Sequence, residues 1–441
     1  MSKIEKNPIH KVIRDFATDV DSLRTSAILT GFIMHNIAKD YSIKFKEFLE
    51  TLESTNVGPE KTTYIVPAEK GHAHRKVEDE FNRAVRAAAI VPRSFVVSLV
   101  SQYDAFLSCL IRTLFTCKPD LVNSTKRTIE FSELLTFGSI EDATNAVVDS
   151  EIEGLLRESH HQQFIWLENR FDIRTLRELS IWPEFVELTQ RRNLFVHSDG
   201  KVSKQYLKVC QEHGVKLSPD LKFGDQLDVD VSYIRRCSAV LFEIAVKLTQ
   251  VLWRKTLPED IEMADESLND IGYHLIIRKR YKLAIALFDF GFETVKRHSN
   301  PEWKLRLLIN RANAHRLIGN SKKCLELLDA EDWRAYDIPF RLAAHVLRGE
   351  KNDVIACMKS IGTTGPVSKN SYRVWPLFHG LREDQEFVQT FREVFNEDIV
   401  EAEVISPENR DDNSADADPR IDLEAFEDDD GIIGDTKKII N

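Results

Sequence analysis

The chain has 441 residues, of which 71 are Asp or Glu and 60 are Lys or Arg, for a formal net charge of −11. Residues 396–441 hold 16 of the acidic and 4 of the basic side chains, so residues 1–395 are almost neutral. The body is therefore neither a strongly acidic domain nor one with the positive excess typical of nucleic-acid binding. With 42% hydrophobic residues, this length predicts two or three domains.

Targeting and cofactor signals are weak. No uninterrupted apolar run reaches the roughly 20 residues of a membrane span, and residues 26–38 lack the cleavage site of a signal peptide. The six cysteines form no C-x-x-C pair, which argues against a disulfide framework or a zinc site. We therefore expect a cytoplasmic protein with no metal, no organic cofactor and no membrane contact.

The first part of the chain has helical periodicity. Residues 1–75 are predicted to form an N-terminal helical segment, with one or two amphipathic helices over residues 10–54 and a weaker stretch after them. A helical domain is predicted over residues 76–255. Its first helix covers residues 76–116, where Pro92 is expected to restart the helix. Shorter helices are predicted over residues 131–135, 140–148, 152–156 and 164–171.

Stronger signals for the start and end of a helix follow along the chain. Pro183 fits the first turn of a helix, and Ser198-Asp199-Gly200 is expected to end it in a turn. A polar connection then leads to a long helix over residues 231–253. Residues 255–262 are predicted to separate this domain from the next one.

The second half contains a recurrence of small residues. Members twelve positions apart form the pairs Gly272 and Ala284, Ala312 and Cys324, and Ala344 and Ala356. This spacing predicts closely packed helix pairs over residues 263–395 and resembles a degenerate tetratricopeptide array. An irregular helical bundle is the alternative. The acidic tail, residues 396–441, is predicted to be disordered, either as a solubilising segment or as an interaction peptide.

The segment Arg-Arg-Asn-Leu-Phe-Val-His at residues 191–197 is where residue types and spacing suggest chemistry. At about 100° per residue, Arg192 and His197 are separated by roughly 140° around a helix axis. Asn193 and His197 are four residues apart and share a face. Two such helices facing each other across a two-fold axis would bring two histidines and two arginines to one groove.

These residue types fit cleavage of a phosphodiester without a metal ion. A histidine can take the proton of a ribose 2′-hydroxyl or protonate the leaving oxygen, and an arginine can bind the phosphate. The need for a 2′-hydroxyl makes RNA the substrate and excludes DNA. The alternative interpretation is structural, with Arg192 in a salt bridge and His197 capping a helix C-terminus. The adjacent His160 and His161 are expected on the exposed surface.

The sequence at residues 191–200, which ends in His-Ser-Asp-Gly, resembles the R-x(4–6)-H signature of the HEPN superfamily. Its members are all-α domains of toxin and host-defence ribonucleases. Asn193 matches the form of the signature that has a polar residue after the arginine. The resemblance covers roughly residues 90–255, with a long helix on either side of the motif. The fold is therefore expected to be all-α: a HEPN-like bundle followed by helical repeats.

The resemblance also implies roles for individual residues. Arg192 and His197 would be catalytic and Asn193 would support them, while Arg191, Ser101 and Asp104 are possible RNA contacts. The implied protein is a metal-independent endoribonuclease, a defence or toxin-type effector that cuts single-stranded RNA at a composite homodimer site.

The sequence departs from one group of HEPN proteins and also allows an alternative function. HEPN toxins paired with nucleotidyltransferase antitoxins carry a tyrosine two residues after the histidine, where this chain has Asp199. The alternative function is a catalytically silent dimer that binds a protein partner through residues 263–395 or the acidic tail.

Overall fold

The computed structural model describes residues 4–58, 61–124, 129–173 and 176–399. These residues are almost entirely helical, with one two-stranded sheet, which confirms the predicted all-α class. The chain divides into two compact units, Met1–Asp260 and Ile261–Asn441. The predicted disordered tail begins too early, because Glu397 pairs with Lys369 and Arg373 and Ile399 is buried. From residue 400 onward the predicted tail lies outside the described residues.

The first unit contains eight α-helices and one hairpin in its described part. In chain order these are α1 (Pro8–Glu50), β1 (Glu53–Gly58), β2 (Lys61–Ile65), α2 (Gly71–Cys117), α3 (Phe131–Leu134), α4 (Ile140–Arg157), α5 (His160–Phe171), α6 (Trp182–His197), α7 (Lys204–Glu212) and α8 (Val231–Thr256). Helix α1 begins sharply because the Asn7 side chain accepts hydrogen bonds from the backbone N–H groups of Ile9 and His10.

Helices α1 and α2 form an antiparallel pair joined by the hairpin, whose strands pair from Glu53 with Ile65 to Gly58 with Lys61. The core lies at the end away from the hairpin, where α8 packs against both helices and α2 also contacts α4 and α6. Buried residues of α1 end at Ile28. Apart from Ala84, those of α2 begin at Val96. The remaining halves of α1 and α2 therefore form a two-helix arm with little buried surface.

The predicted helix restart at Pro92 was wrong, because α2 continues through this residue without a break. Proline removes one helical hydrogen bond and crowds the preceding turn. Here α2 packs against α1 on one side of Pro92 and enters the core on the other, so tertiary contacts outweigh the local cost. The same helix crosses residues 75 and 76, where the sequence suggested a division.

Helix α2 also bears on the membrane question. The segment Ala68–Cys117 has an 18-residue window of mean hydropathy 1.5, which is long and apolar enough to cross a membrane. This is weak evidence for a span, since 44% of the window is buried and the core helix of a soluble protein has the same composition.

The second unit is made of successive helices. They are α9 (Ile261–Ile277), α10 (Tyr281–Asp289), α11 (Pro301–Leu317), α12 (Ser321–Leu328), α13 (Ile338–Arg348), α14 (Lys351–Ile361), α15 (Lys369–Val374) and α16 (Gln385–Phe395). Helices α9 to α14 pack as three consecutive pairs. Five of the six small residues chosen for their spacing lie on these pairs and are buried: Gly272, Ala284, Ala312, Cys324 and Ala344. The sixth, Ala356, lies on α14 but is exposed, so close packing around a small residue was wrongly expected there.

Gly272 of α9 faces the Phe288 ring of α10, and Gly272→Ala is expected to destabilise the second unit. A Cβ atom at this position would lie 2.4 Å from Cζ of the buried Phe288 ring. Overpacking of this kind costs about 1–3 kcal/mol, more than the roughly 1 kcal/mol that alanine gains over glycine in a helix. Gly154→Ala is the matched control, because Gly154 lies in α4 with open space around it. Urea unfolding should give a lower free energy of unfolding for Gly272→Ala and a higher one for Gly154→Ala. An increase for Gly272→Ala would contradict this packing.

Candidate active site

Helix α6 carries the residues 191–197 and has well-defined ends. Pro183 and Glu184 lie in its first turn, as the sequence predicted. At the other end, the backbone N–H groups of Ser198 and Gly200 both donate to the carbonyl of Leu194, at 2.8 and 3.0 Å. Gly200 adopts a φ of +79°, and a Cβ atom there would lie 2.7 Å from Nε2 of Gln226. The predicted turn at residues 198–200 is thus confirmed, and it needs glycine.

The turn after His197 is also tied to α2. The Arg93 guanidinium donates to the backbone carbonyl of Asp199 at 3.2 Å and to the Asp228 carboxylate at 2.9 Å. Its carbon lies 5.8 Å from the centre of the Phe195 ring. The backbone of Asp199 also accepts from Gln226 at 2.7 Å. These contacts fix the chain immediately after the predicted catalytic histidine.

Arg192 is joined to α2 by an ion pair. Its Nη2 donates to Oδ2 of Asp104 at 2.9 Å, with 22% of the arginine side chain and 24% of the aspartate side chain exposed. The other oxygen of Asp104, Oδ1, lies 2.9 Å from Nε2 of His160 at the start of α5. One carboxylate therefore holds an arginine and a histidine from two different helices.

Asn193 lies beside Arg192 rather than beside His197. Its Oδ1 accepts a hydrogen bond from Nη1 of Arg192 at 3.1 Å. A guanidinium has five N–H donors, and Asp104 and Asn193 use one on each Nη nitrogen. One further N–H on each of these nitrogens is therefore left for an anion. The sequence placed Asn193 on the face of His197, whereas its side chain is hydrogen-bonded to Arg192.

His197 is exposed at the C-terminal end of α6. Within the described residues, it makes no side-chain hydrogen bond or ion pair that would hold its ring in place. Ser101, one turn before Asp104 on α2, is exposed as well. An exposed imidazole at a rigid helix end is accessible to a large substrate.

Arg191 has a different environment, although it is adjacent to Arg192. Its Nε donates to Oε1 of Glu187 at 2.6 Å, and its guanidinium lies 4.1 Å from the centre of the Tyr233 ring. Tyr206 and Tyr233 donate their hydroxyls to the same carboxylate at 2.7 and 2.9 Å. The Arg191 guanidinium is therefore committed to a largely buried network that ties α6 to α7 and α8. An RNA contact through Arg191 would require this network to break.

Burial raises the pKa values of the tyrosine and cysteine side chains around Glu187. Burial, followed by the charge of Glu187, raises the pKa of Tyr206 above its ordinary value and raises the pKa of the Cys210 thiol to about 12. Burial likewise raises the pKa of Tyr233. The two tyrosines remain protonated at neutral pH and act as donors to the carboxylate. This network is structural and contains no thiolate nucleophile.

His160 is the site residue that the sequence prediction missed. The expectation that His160 and His161 are exposed was wrong: 11% of the His160 side chain is exposed, and its ring packs 5.7 Å from Phe185 and 6.1 Å from Tyr103. His161 faces away, with its ring 4.7 Å from His213. Burial, followed by the charge of His213, lowers the pKa of His161. The sequence feature that could have pointed to His160 is its position directly after Ser159. Ser159 caps helix α5 and thereby fixes His160 in the first turn of that helix.

One group of possible metal ligands occurs in the described part of the chain, and it belongs to the second unit. Ligand atoms of His345, Glu350 and Asp353 lie within 4.8 Å of one another. Both carboxylates are exposed, an arrangement that is common on protein surfaces without an ion.

Comparison with known proteins gives no match to a family model, a curated protein or a solved structure. The resemblance to HEPN domains therefore stays a prediction from the sequence around Arg192 and His197.

Proposed function

We propose that the first unit is a metal-independent endoribonuclease of HEPN type. The observation that carries this proposal is the arrangement along α6. Arg192 is held at a defined position by Asp104 and Asn193, and His197 is exposed at the end of the same helix. The same geometry also fits the alternative in which Arg192 only forms a structural salt bridge. The proposal therefore depends on the N–H groups of Arg192 that bind neither Asp104 nor Asn193.

The chemistry follows from the two side chains. The free N–H groups of Arg192 bind the scissile phosphate and stabilise the charge that builds up on it. The imidazole of His197 takes the proton from the ribose 2′-hydroxyl. The 2′-oxygen then forms a bond to phosphorus while the bond from phosphorus to the 5′-oxygen breaks. The products are a 2′,3′-cyclic phosphate and a 5′-hydroxyl, and no step requires a metal ion.

Asp104 is better suited to holding Arg192 than to contacting RNA. A carboxylate repels a phosphate, whereas its ion pair with Arg192 fixes the direction of the guanidinium. We therefore assign Asp104 a positioning role. Ser101 is neutral and exposed, and it remains a candidate RNA contact.

We also propose that the protein acts as a homodimer. Arg192 and His197 flank α6 rather than stack on one face, and a second copy facing the first would bring two arginines and two histidines to one groove. The two-helix arm offers an apolar surface for association, because Phe32, Ile33 and Ile43 of α1 are each about half exposed. We propose a cytoplasmic dimer that acts on single-stranded RNA in a defence or toxin-type response.

The test is RNA cleavage by purified protein in the presence of EDTA. We expect wild-type protein to cut single-stranded RNA, to leave the DNA of the same sequence intact and to produce cyclic phosphate ends. His197→Ala should abolish cleavage while preserving the dimer, as measured by light scattering. His274→Ala is the control, because His274 lies on α9 of the second unit and its side chain is 56% exposed. Cleavage by His197→Ala at the wild-type rate would contradict the proposal.

A cavity in the second unit favours a second function, binding of a protein partner. Its volume is about 510 Å³, and its lining includes Tyr273 of α9, Asn310 of α11, Phe340 of α13 and Trp375. Aromatic and amide side chains on neighbouring helices are suited to an extended peptide with apolar side chains. A catalytically silent scaffold would show no RNA cleavage but would lose its partner when Trp375 is replaced by alanine.

A further inference from the structure

The proposed reaction needs two proton transfers, and α6 supplies one histidine per chain. His197 removes the proton of the 2′-hydroxyl, and a second group has to protonate the 5′-oxygen as it leaves. We propose that His160 is this second group, so that one chain provides both the acid and the base. This inference rests on the proposed function and deepens it.

The first argument is the shared carboxylate. Asp104 binds Arg192 through Oδ2 and His160 through Oδ1, each at 2.9 Å. The imidazole is thereby placed next to the guanidinium that would hold the scissile phosphate. The hydrogen bonds of His213, His298 and His345 go to other partners.

The second argument is the orientation of the ring. Nε2 of His160 is bound to Asp104. Nδ1 has no hydrogen-bond partner among the described residues, and it is not fully buried. A carboxylate bound to one imidazole nitrogen fixes the ring and leaves the other nitrogen to exchange a proton with a substrate. The rings of Tyr103 and Phe185 flank the imidazole and limit its rotation.

The third argument is charge. Asp104, which also pairs with Arg192, is an acidic partner of His160. His197 has no acidic partner among the described residues. His160 is therefore assigned to the acid step and His197 to the base step. During the reaction the proton on Nδ1 of His160 moves to the departing 5′-oxygen, and the proton of the 2′-hydroxyl moves to His197. The number of protons bound to the enzyme is unchanged.

The test compares two RNA substrates. In the first, the leaving atom is the natural 5′-oxygen; in the second it is sulfur, which departs as a thiolate without needing a proton. His160→Asn should slow cleavage of natural RNA by about 100-fold or more, with near-wild-type cleavage of the sulfur substrate. His197→Ala should be slow on both substrates. His161→Asn is the matched control, since His161 is the next residue of α5 and faces His213 instead.

The outcomes separate the two proposals. Full activity of His160→Asn on natural RNA, with His197→Ala inactive, overturns the role of His160 and leaves the proposed function standing. No cleavage by the wild-type protein overturns both. Equal slowing of His160→Asn on the two substrates also overturns the acid assignment.

A second measurement covers the case in which the variant does not fold. Histidine ring signals of the wild-type protein are followed by NMR while an uncleavable RNA, with a 2′-deoxy nucleotide at the cleavage position, is added. We expect the His160 signals to shift on binding, and unchanged His160 signals with shifted His197 signals overturn the proposal.

Discussion

Replacing Arg192 with alanine is expected to reduce RNA cleavage by about 100-fold or more, the usual effect of removing one donor that stabilises transition-state charge. The fold should persist, because the ion pair of Arg192 with Asp104 is more than a fifth exposed on both sides and Asp104 keeps His160 as a partner. Cleavage is measured on labelled RNA, and the fold by circular dichroism and thermal unfolding.

Two further variants make this prediction specific. Arg192→Lys keeps the charge but cannot bind Asp104, Asn193 and phosphate in the planar geometry of a guanidinium, so we expect only partial activity. Arg157→Ala is the control, because Arg157 on α4 is four-fifths exposed, and it should cleave normally. An Arg192→Ala protein that cuts RNA at the wild-type rate would rule out the phosphate-binding role.

Replacing Glu187 with alanine is expected to lower the stability of the first unit by about 3 kcal/mol, because the change leaves a largely buried guanidinium and two tyrosine hydroxyls without their acceptor. The side chain of Glu187 is 12% exposed, and its three donors come from α6, α7 and α8. For a unit of this size the loss corresponds to a drop of roughly 6–12 °C in melting temperature.

Glu184 provides the comparison for this experiment. It lies one turn earlier on α6 and is exposed, where it interacts with the helix dipole. Glu184→Ala should therefore cost less than about 1 kcal/mol. Similar melting temperatures for the Glu187→Ala and wild-type proteins would show that the three donors find other partners and that the network does not stabilise the unit.

The sequence was sufficient for the features that local signals control. Pro183 predicted the start of α6, and Ser198-Asp199-Gly200 predicted its end, because proline and glycine restrict the backbone at the positions where they stand. The spacing of Gly272 and Ala284 predicted a close helix pair in the same way, since small residues mark close backbone approach.

The contacts that assemble the site could not be predicted in this way. Asp104 and His160 are 56 residues apart, and helical periodicity does not state which helices pack together. Helix α7 was missed as well, although Tyr206 and Cys210, four residues apart, mark its buried face. The β hairpin was missed because its strands are short and lie among glycine and proline residues.

The two adjacent arginines of α6 have a consequence for how this chain tolerates insertions and deletions. Successive helical residues point about 100° apart, so Arg191 turns toward Glu187 while its neighbour turns toward α2. A single residue added or removed between positions 187 and 191 would rotate both guanidinium groups away from their partners at once. Substitutions in this stretch can be compensated, whereas changes of length cannot. The helical phase from Glu187 to Arg192 therefore sets both contacts.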